Sequence, residues 1–227
     1  MGPGDRTVAG EDPAFAGQAI YSRRFLALYD ALVYGFNSPV LWRCSKARMV
    51  ELYDEHVSAR HLDVGVGSGG LLDACRFPAA APEVTLMDMN PNSLAVTAAR
   101  LARHRPRTVT ANALAPWPVE AASFDSVALS HLVHCLPGAI PEKAAVFEHA
   151  RTALAPGGTL FGATILGRGV DLSRPARLMT AVCNRRGVLS NRDDDPADLD
   201  AVLARVFDAH ELRIRGAVGL FSARAAA

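Results

Sequence analysis

His61-Leu62-Asp63-Val64-Gly65-Val66-Gly67-Ser68-Gly69-Gly70-Leu71-Leu72 reads as a strand, a glycine turn and the start of a helix. Leu62 and Val64 supply a short apolar β run, and glycines at alternate positions let the backbone fold tightly without Cβ clashes. Leu71 and Leu72 then open an amphipathic helix. Such a turn presents backbone N–H groups to a ligand, the arrangement that seats a nucleotide at the carboxyl end of a parallel sheet. The glycines fit two patterns. Gly65, Gly67 and Gly70 satisfy G-x-G-x-x-G, while Asp63, Gly65, Gly67 and Gly69 satisfy D-x-G-x-G-x-G.

The second pattern resembles the first motif of the class I S-adenosyl-L-methionine (SAM)-dependent methyltransferases. Asp63 separates the two readings, because a carboxylate at the strand end attracts a cationic cofactor with a free amino group and repels a pyrophosphate. The resemblance implies SAM as cofactor and S-adenosyl-L-homocysteine as its product.

The rest of the chain fits one nucleotide-binding domain. With 227 residues, half of them hydrophobic, it is long enough to bury a sizeable core. Lysine and arginine total 24 against 23 acids, so no electrostatic footprint for nucleic acid or an anionic membrane arises. Cys44, Cys75, Cys135 and Cys183 contain no C-x-x-C pair, which suggests neither a zinc site nor a disulfide framework and fits a reduced cytoplasm. There is no run of membrane-spanning length and no signal-peptide pattern.

Residues 1–18 are rich in Gly, Ala, Asp and Pro without periodicity and read as a flexible arm. The single domain runs over 19–227, opening with a helical cap at 19–56. Phe25, Tyr29 and Leu32 mark one cap helix, and Leu41, Met49, Leu52 and Tyr53 a second. This region, with Tyr29-Asp30, Gly35-Phe36 and Leu41-Trp42-Arg43, is similar to the opening of the ubiquinone and menaquinone biosynthesis methyltransferases. Tyr21, Tyr29 or Tyr34 can each offer a ring face to a sulfonium, and the competing reading is that they pack the cap. Tyr29 is carried forward as a cofactor contact.

The cofactor-binding half is expected at 57–165. A second strand, Val84-Thr85-Leu86-Met87, ends at Asp88, and Asn90-Pro91 caps the following helix. An acid about twenty residues past the glycines suits a ribose, whose two hydroxyls a carboxylate can accept. A third short strand at 108–110 leads to Asn112, which stands where the family usually has an acid bound to the adenine amino group. An amide oxygen still accepts that bond. Phe124 to Ser130 form the fourth strand, Asp125 at its start as the family has it, and His131-Leu132-Val133-His134-Cys135 follows. A helix is expected at about 141–154, then Pro156-Gly157-Gly158 turns into the fifth strand. The resemblance implies Asp63, Gly65, Val66, Gly67, Gly69, Asp88, Met89, Asn112, Ala113, Ser130 and His131, with Tyr29, as the cofactor set.

The substrate-side segment, 166–227, holds helices at about 174–186 and 196–207 and two β runs separated by Gly216-Ala217. That short link makes a hairpin, so one antiparallel strand enters an otherwise parallel sheet. Asn184, Asn191 and Asp193 lie in the stretch that would line the substrate side. The whole implies an α/β, Rossmann-like, doubly wound seven-stranded sheet with an N-terminal helical cap and a C-terminal antiparallel hairpin strand.

The expected reaction is methyl transfer to a small-molecule acceptor, a secondary-metabolite or quinone-like compound, by in-line displacement with no metal site expected. His131 and then His134 are the candidates for a base, since imidazole titrates in the right range and either could start the helix after the fourth strand; capping or packing is the competing role. The expected partner is that acceptor, with no nucleic acid, no membrane insertion and a homodimer left open. Two alternatives stand at this point: an NAD(P)-dependent oxidoreductase sharing the glycine turn and Asp88, and a SAM-binding protein with a non-methylating role.

Overall fold

The computed structural model describes residues 39–226. The arm at 1–18, the first cap helix and Tyr21, Tyr29 and Tyr34 therefore lie outside the described residues. Helix α1 (Lys46–His56) starts on Ser45, whose side chain accepts from the Arg48 N–H, and turns Met49, Leu52 and Tyr53 inward. Leu41, expected on this helix, is buried ahead of Ser45. The half expected to bind the cofactor comprises β1 (Arg60–Val64), β2 (Glu83–Asp88), α2 (Pro91–Arg100), β3 (Arg107–Thr110), β4 (Phe124–Ser130), α3 (Ala144–Ala153) and β5 (Leu154–Ile165). It is followed by α4 (Arg174–Arg185), α5 (Pro196–Val206), β6 (Ala209–Arg215) and β7 (Val218–Arg224).

The strands form one seven-stranded sheet in the order β3-β2-β1-β4-β5-β7-β6. All neighbours pair in parallel except β7, which runs antiparallel to both β5 and β6. The expected hairpin is thus present. Its Gly216 has φ +58°, and a Cβ there would fall 2.2 Å from the Trp42 carbonyl oxygen, which also accepts from the Ala217 N–H at 2.9 Å.

Side-chain alternation divides the core between the two faces of the sheet. Leu62, Val127, Leu129, Phe147, Leu199 and Leu203 belong to one apolar cluster, closed by α3 and α5. Leu52, Tyr53, Leu86, Leu94, Ala128 and Phe161 belong to the other, closed by α1 and α2. No helix among the described residues is long and apolar enough to cross a membrane.

Three local expectations need correction. Leu71 and Leu72 are buried, but no helix follows the glycine turn. The segment makes only isolated turns, with Asp73 N–H donating to Gly69 O at 2.9 Å and Cys75 N–H to Leu71 O at 3.1 Å. Gly69 and Gly70 disfavour helix, nucleation is costly, and Pro78 leaves too little chain to recover it. After β4, where His131 or His134 was to open a helix, there is a single 3-10 turn at Val133–Cys135. Pro137 biases Leu136 to an extended backbone, observed at ψ 143°, and ends it. Finally, Pro156-Gly157-Gly158 lies within β5 as an irregularity, so that Phe124 pairs with Leu154 but Ser126 with Thr159.

Candidate active site

The carboxyl ends of β1, β2 and β4 surround a cleft of about 960 Å³, counting its open mouth. The glycine turn forms one wall, with Gly65, Gly67 and Gly69 at φ +73°, +52° and +71°. Their surroundings differ. A Cβ on Gly65 would meet Leu132 at 2.8 Å and one on Gly69 would meet Thr97 at 2.6 Å, whereas at Gly67 nothing lies within 4 Å. Two glycines therefore allow the chain to pack, and the third opens the backbone onto the cleft.

Asp88 closes β2 beside that opening. Its carboxylate accepts from the Asn90 N–H at 2.8 Å and from the Gly67 N–H at 3.4 Å. Burial outweighs these bonds and pushes the carboxyl up to about 6. Asp63, at the end of β1, is buried, and its Oδ2 accepts from the Tyr53 hydroxyl at 2.9 Å. Val66 and Met89 complete this end of the cleft.

Asn112 lies just past β3, where its Oδ1 accepts from the Leu114 N–H at 3.0 Å. Neighbouring Ala113 also lines the cleft. On the other side, the buried Ser130 Oγ has no hydrogen-bond partner among the described residues. Ser130 lines the cleft, and its inaccessible hydroxyl is an unmet hydrogen-bonding demand at that wall.

His131 adopts φ +60°, an uncommon conformation for a non-glycine residue. The residue lines the cleft, its Nε2 lies 2.9 Å from Met49 Sδ, and burial lowers its pKa to about 4. His134 is not brought to the cleft. It is buried, its Nδ1 accepts from the Ile165 N–H at 3.1 Å, and Thr164 Oγ1 lies 3.3 Å from the same nitrogen. Burial holds it well below the usual imidazole range. Period and spacing could not separate these two histidines, because the 3-10 turn between them points one into the cleft and the other beneath β5.

Asn184, Asn191 and Asp193 do not line this cleft either. Asn184 Nδ2 donates to Asn191 Oδ1 at 2.8 Å, Asn191 Nδ2 donates to Ile165 O at 3.0 Å, and Asp193 pairs with Arg168 at 3.6 Å on the surface. Tyr29 lies outside the described residues. Sequence reasoning treated Tyr53 only as a core residue and passed over His61. The signals were there: Tyr53 follows Met49 by four positions on one helix face, and His61 precedes Asp63 by two on one strand face. Among the described residues, no group of three or more His, Cys, Asp or Glu gathers as a metal site.

A mainly parallel sheet, an acid-flanked glycine turn and a second acid closing the next strand define a nucleotide-cofactor enzyme of the doubly wound class. The comparisons with known proteins narrow this. A family described as methyltransferase domain matches residues 62–160. The chain is 45% identical over 207 residues to demethylluteothin O-methyltransferase of Streptomyces thioluteus, covering 91% of this chain and 90% of that one. It is 35% identical over 213 residues to a physcion biosynthesis cluster O-methyltransferase of Aspergillus chevalieri, covering 93% and 96%. Among solved structures, a SAM-dependent methyltransferase of Thermotoga maritima, titled a possible histamine N-methyltransferase, superposes with a TM-score of 0.67 at 13% identity over 92% of this chain and 99% of that one.

The chain belongs to the class I SAM-dependent methyltransferases. It is an enzyme that methylates a small molecule with SAM as cofactor. The oxidoreductase and non-methylating alternatives give way to that membership. The cleft fits such a cofactor on its own terms: Gly67 leaves room for a ligand against the backbone, Asp88 lines the cleft beside that opening, and the buried Ser130 Oγ in its wall has no partner among the described residues.

Proposed function

We propose that the enzyme transfers a methyl group from SAM to a hydroxyl oxygen of a small secondary metabolite held against the Ser130-His131 end of the cleft. The observation that carries this reading is the make-up of the cleft: carboxylates Asp63 and Asp88 flank the glycine turn, and the uncharged Ser130, His131, Leu132 and Leu136 line the same cavity. The oxygen acceptor is supported by the O-methyltransferases among its relatives.

Bound SAM supplies an electrophilic methyl group on a sulfonium, already activated. In this reading the Asp88 carboxylate accepts from the ribose hydroxyls, Asp63 faces the amino group, and Asn112 with Ala113 borders the adenine. Gly65, Val66, Gly67, Gly69 and Met89 shape the wall, and Ser130 donates to the amino-acid end. The protein's main contribution is then placement of the two reactants out of water, which can supply most of the rate gain. With its pKa near 4, the His131 imidazole is uncharged at neutral pH and can accept the hydroxyl proton, although it drives that transfer weakly.

The same reading assigns no nucleic-acid partner, supported by 24 basic against 23 acidic side chains. It assigns the enzyme to the cytoplasm, supported by four free cysteines, and leaves a homodimer open. The test is turnover of SAM with a panel of phenols, enols, amines and activated ring carbons, the products identified by mass. Methyl ethers are the expected products, and N- or C-methylation alone would overturn the oxygen assignment.

A further inference from the structure

Beneath the glycine turn, two side chains from two elements, α1 and β1, converge on one carboxylate. Tyr53, on α1, donates its hydroxyl to Asp63 Oδ2 at 2.9 Å. His61, two residues before Asp63 on the same strand face, brings Nε2 to 3.7 Å from that oxygen, and its side chain is fully buried. The imidazole is held from behind. Its Nδ1 lies 2.8 Å from Ser126 Oγ on β4, and that hydroxyl already accepts from the Ser58 N–H at 2.9 Å. The serine proton is therefore available to Nδ1, an assignment from the hydrogen-bond network that leaves the imidazole proton on Nε2, facing Asp63. Phe161 fixes both rings, stacked on His61 at 5.8 Å and edge-on to Tyr53 at 4.9 Å between centroids. Within the described residues, His61 Nε2 has no hydrogen-bond partner, so its nearest use is the field it directs at Asp63.

We propose that Tyr53 and His61 are positioning residues that commit Asp63 Oδ2 to the protein and so aim Oδ1 at the ammonium of the cofactor's amino-acid end. This rests on the reading of Asp63 as that ammonium's partner. A carboxylate free to rotate would divide its time between solvent, backbone and ligand, whereas one whose second oxygen is held by a phenol and faced by an imidazole N–H presents a single acceptor to the cleft. The network acts on one end of the ligand only. Adenosine recognition, at Asp88 and Asn112, does not pass through it.

The test uses the full chain and two ligands measured by calorimetry: S-adenosyl-L-homocysteine, which carries the amino-acid end, and 5′-methylthioadenosine, which lacks it. Tyr53→Phe keeps the ring and its packing and should weaken S-adenosyl-L-homocysteine about tenfold while leaving 5′-methylthioadenosine within about twofold. Ser126→Ala, which releases the imidazole from behind, should shift the same ratio in the same direction by a smaller factor. Asp63→Asn is the reference variant. If it loses the ratio and Tyr53→Phe keeps it, the positioning role is overturned while the role of Asp63 stands. If Asp63→Asn keeps the ratio, the ammonium partner lies elsewhere and both ideas fall. Parallel loss of both ligands in Tyr53→Phe means a structural role alone and also overturns the proposal.

Discussion

The two halves of the sheet treat their polar groups in opposite ways. Around the ends of β1 to β4, polar residues line the cleft: Asp63, Asp88, Asn112 and Ser130, whose buried Oγ has no partner among the described residues. Where the turns after β4 meet β5 and the segment that follows it, polar atoms are consumed internally. Lys143 Nζ, fully buried, donates to both oxygens of the fully buried Asp194 at 2.8 and 2.7 Å and to Ser190 O at 2.8 Å. The Asp194 backbone oxygen accepts from Gly167 and Arg168, each at 3.0 Å, and Asn184, Asn191 and His134 are similarly occupied. Burial lowers the Lys143 pKa and raises that of Asp194 to about 6, so the pair holds its charges only because each has the other. One half keeps unmet demand for a ligand, and the other uses the same residue types to pin a long segment onto the sheet.

That contrast can be broken most forcefully in the second half. Lys143→Ala strands a buried carboxylate and should cost about 3–5 kcal/mol of stability in denaturant unfolding, while Lys143→Met combined with Asp194→Leu should recover most of it. A single variant with unchanged stability would mean that the pair is not a clamp. In the first half, Gly67→Val should do the reverse. With nothing within 4 Å of the new Cβ, the fold survives the strain at φ +52°, but SAM affinity should fall by more than about 100-fold, or about 2.8 kcal/mol, in a calorimetric titration. Retained binding would place the ligand away from the turn.

Asp88→Ala should weaken SAM by about 1–3 kcal/mol through loss of charged hydrogen-bond acceptors, with little change in unfolding. The same carboxyl sets a pH dependence. Its folded pKa, about 6, is above the usual carboxylate value, so it takes up a proton as the pH falls through 6 and then presents a weaker acceptor to the ribose. SAM affinity should be flat above that point and fall about tenfold by pH 5; a flat profile down to pH 5 would remove Asp88 from the ribose site. The smallest effect is expected at His131. His131→Ala should lower kcat three- to tenfold, about 0.7–1.4 kcal/mol, with the affinity for SAM nearly unchanged. Equal loss in both would give the residue a binding role in place of proton transfer.

The first half was far more legible in the sequence than the second. Asp63, the glycines and Asp88 are local features, since a strand end and a turn are specified within a dozen residues, and all of them do line one cleft. The hairpin around Gly216 was equally local. The helix expected at Leu71 failed because apolar spacing reports burial, which both leucines achieve, and does not report whether enough chain remains before Pro78 to complete helical turns. His134, Asn184 and Asn191 looked like site residues for a similar reason. Their chemistry suits a site, but His134 meets Thr164 and Ile165 because the turn after β4 packs on β5, and Asn184 and Asn191 meet each other and Ile165 because 166–195 folds back over that strand.

By itself, then, the sequence determined the order of strands and turns, the acid-flanked glycine bend and the cofactor family, because each depends on residues close together in the chain. Only the tertiary structure decided that Gly67 faces the cleft while Gly65 and Gly69 face Leu132 and Thr97, and that His131 enters the cleft while His134 supports β5. It alone set Tyr53 and His61 around Asp63. Whether a polar side chain serves a ligand or the fold depends on what packs against it, and that is settled by contacts between distant segments.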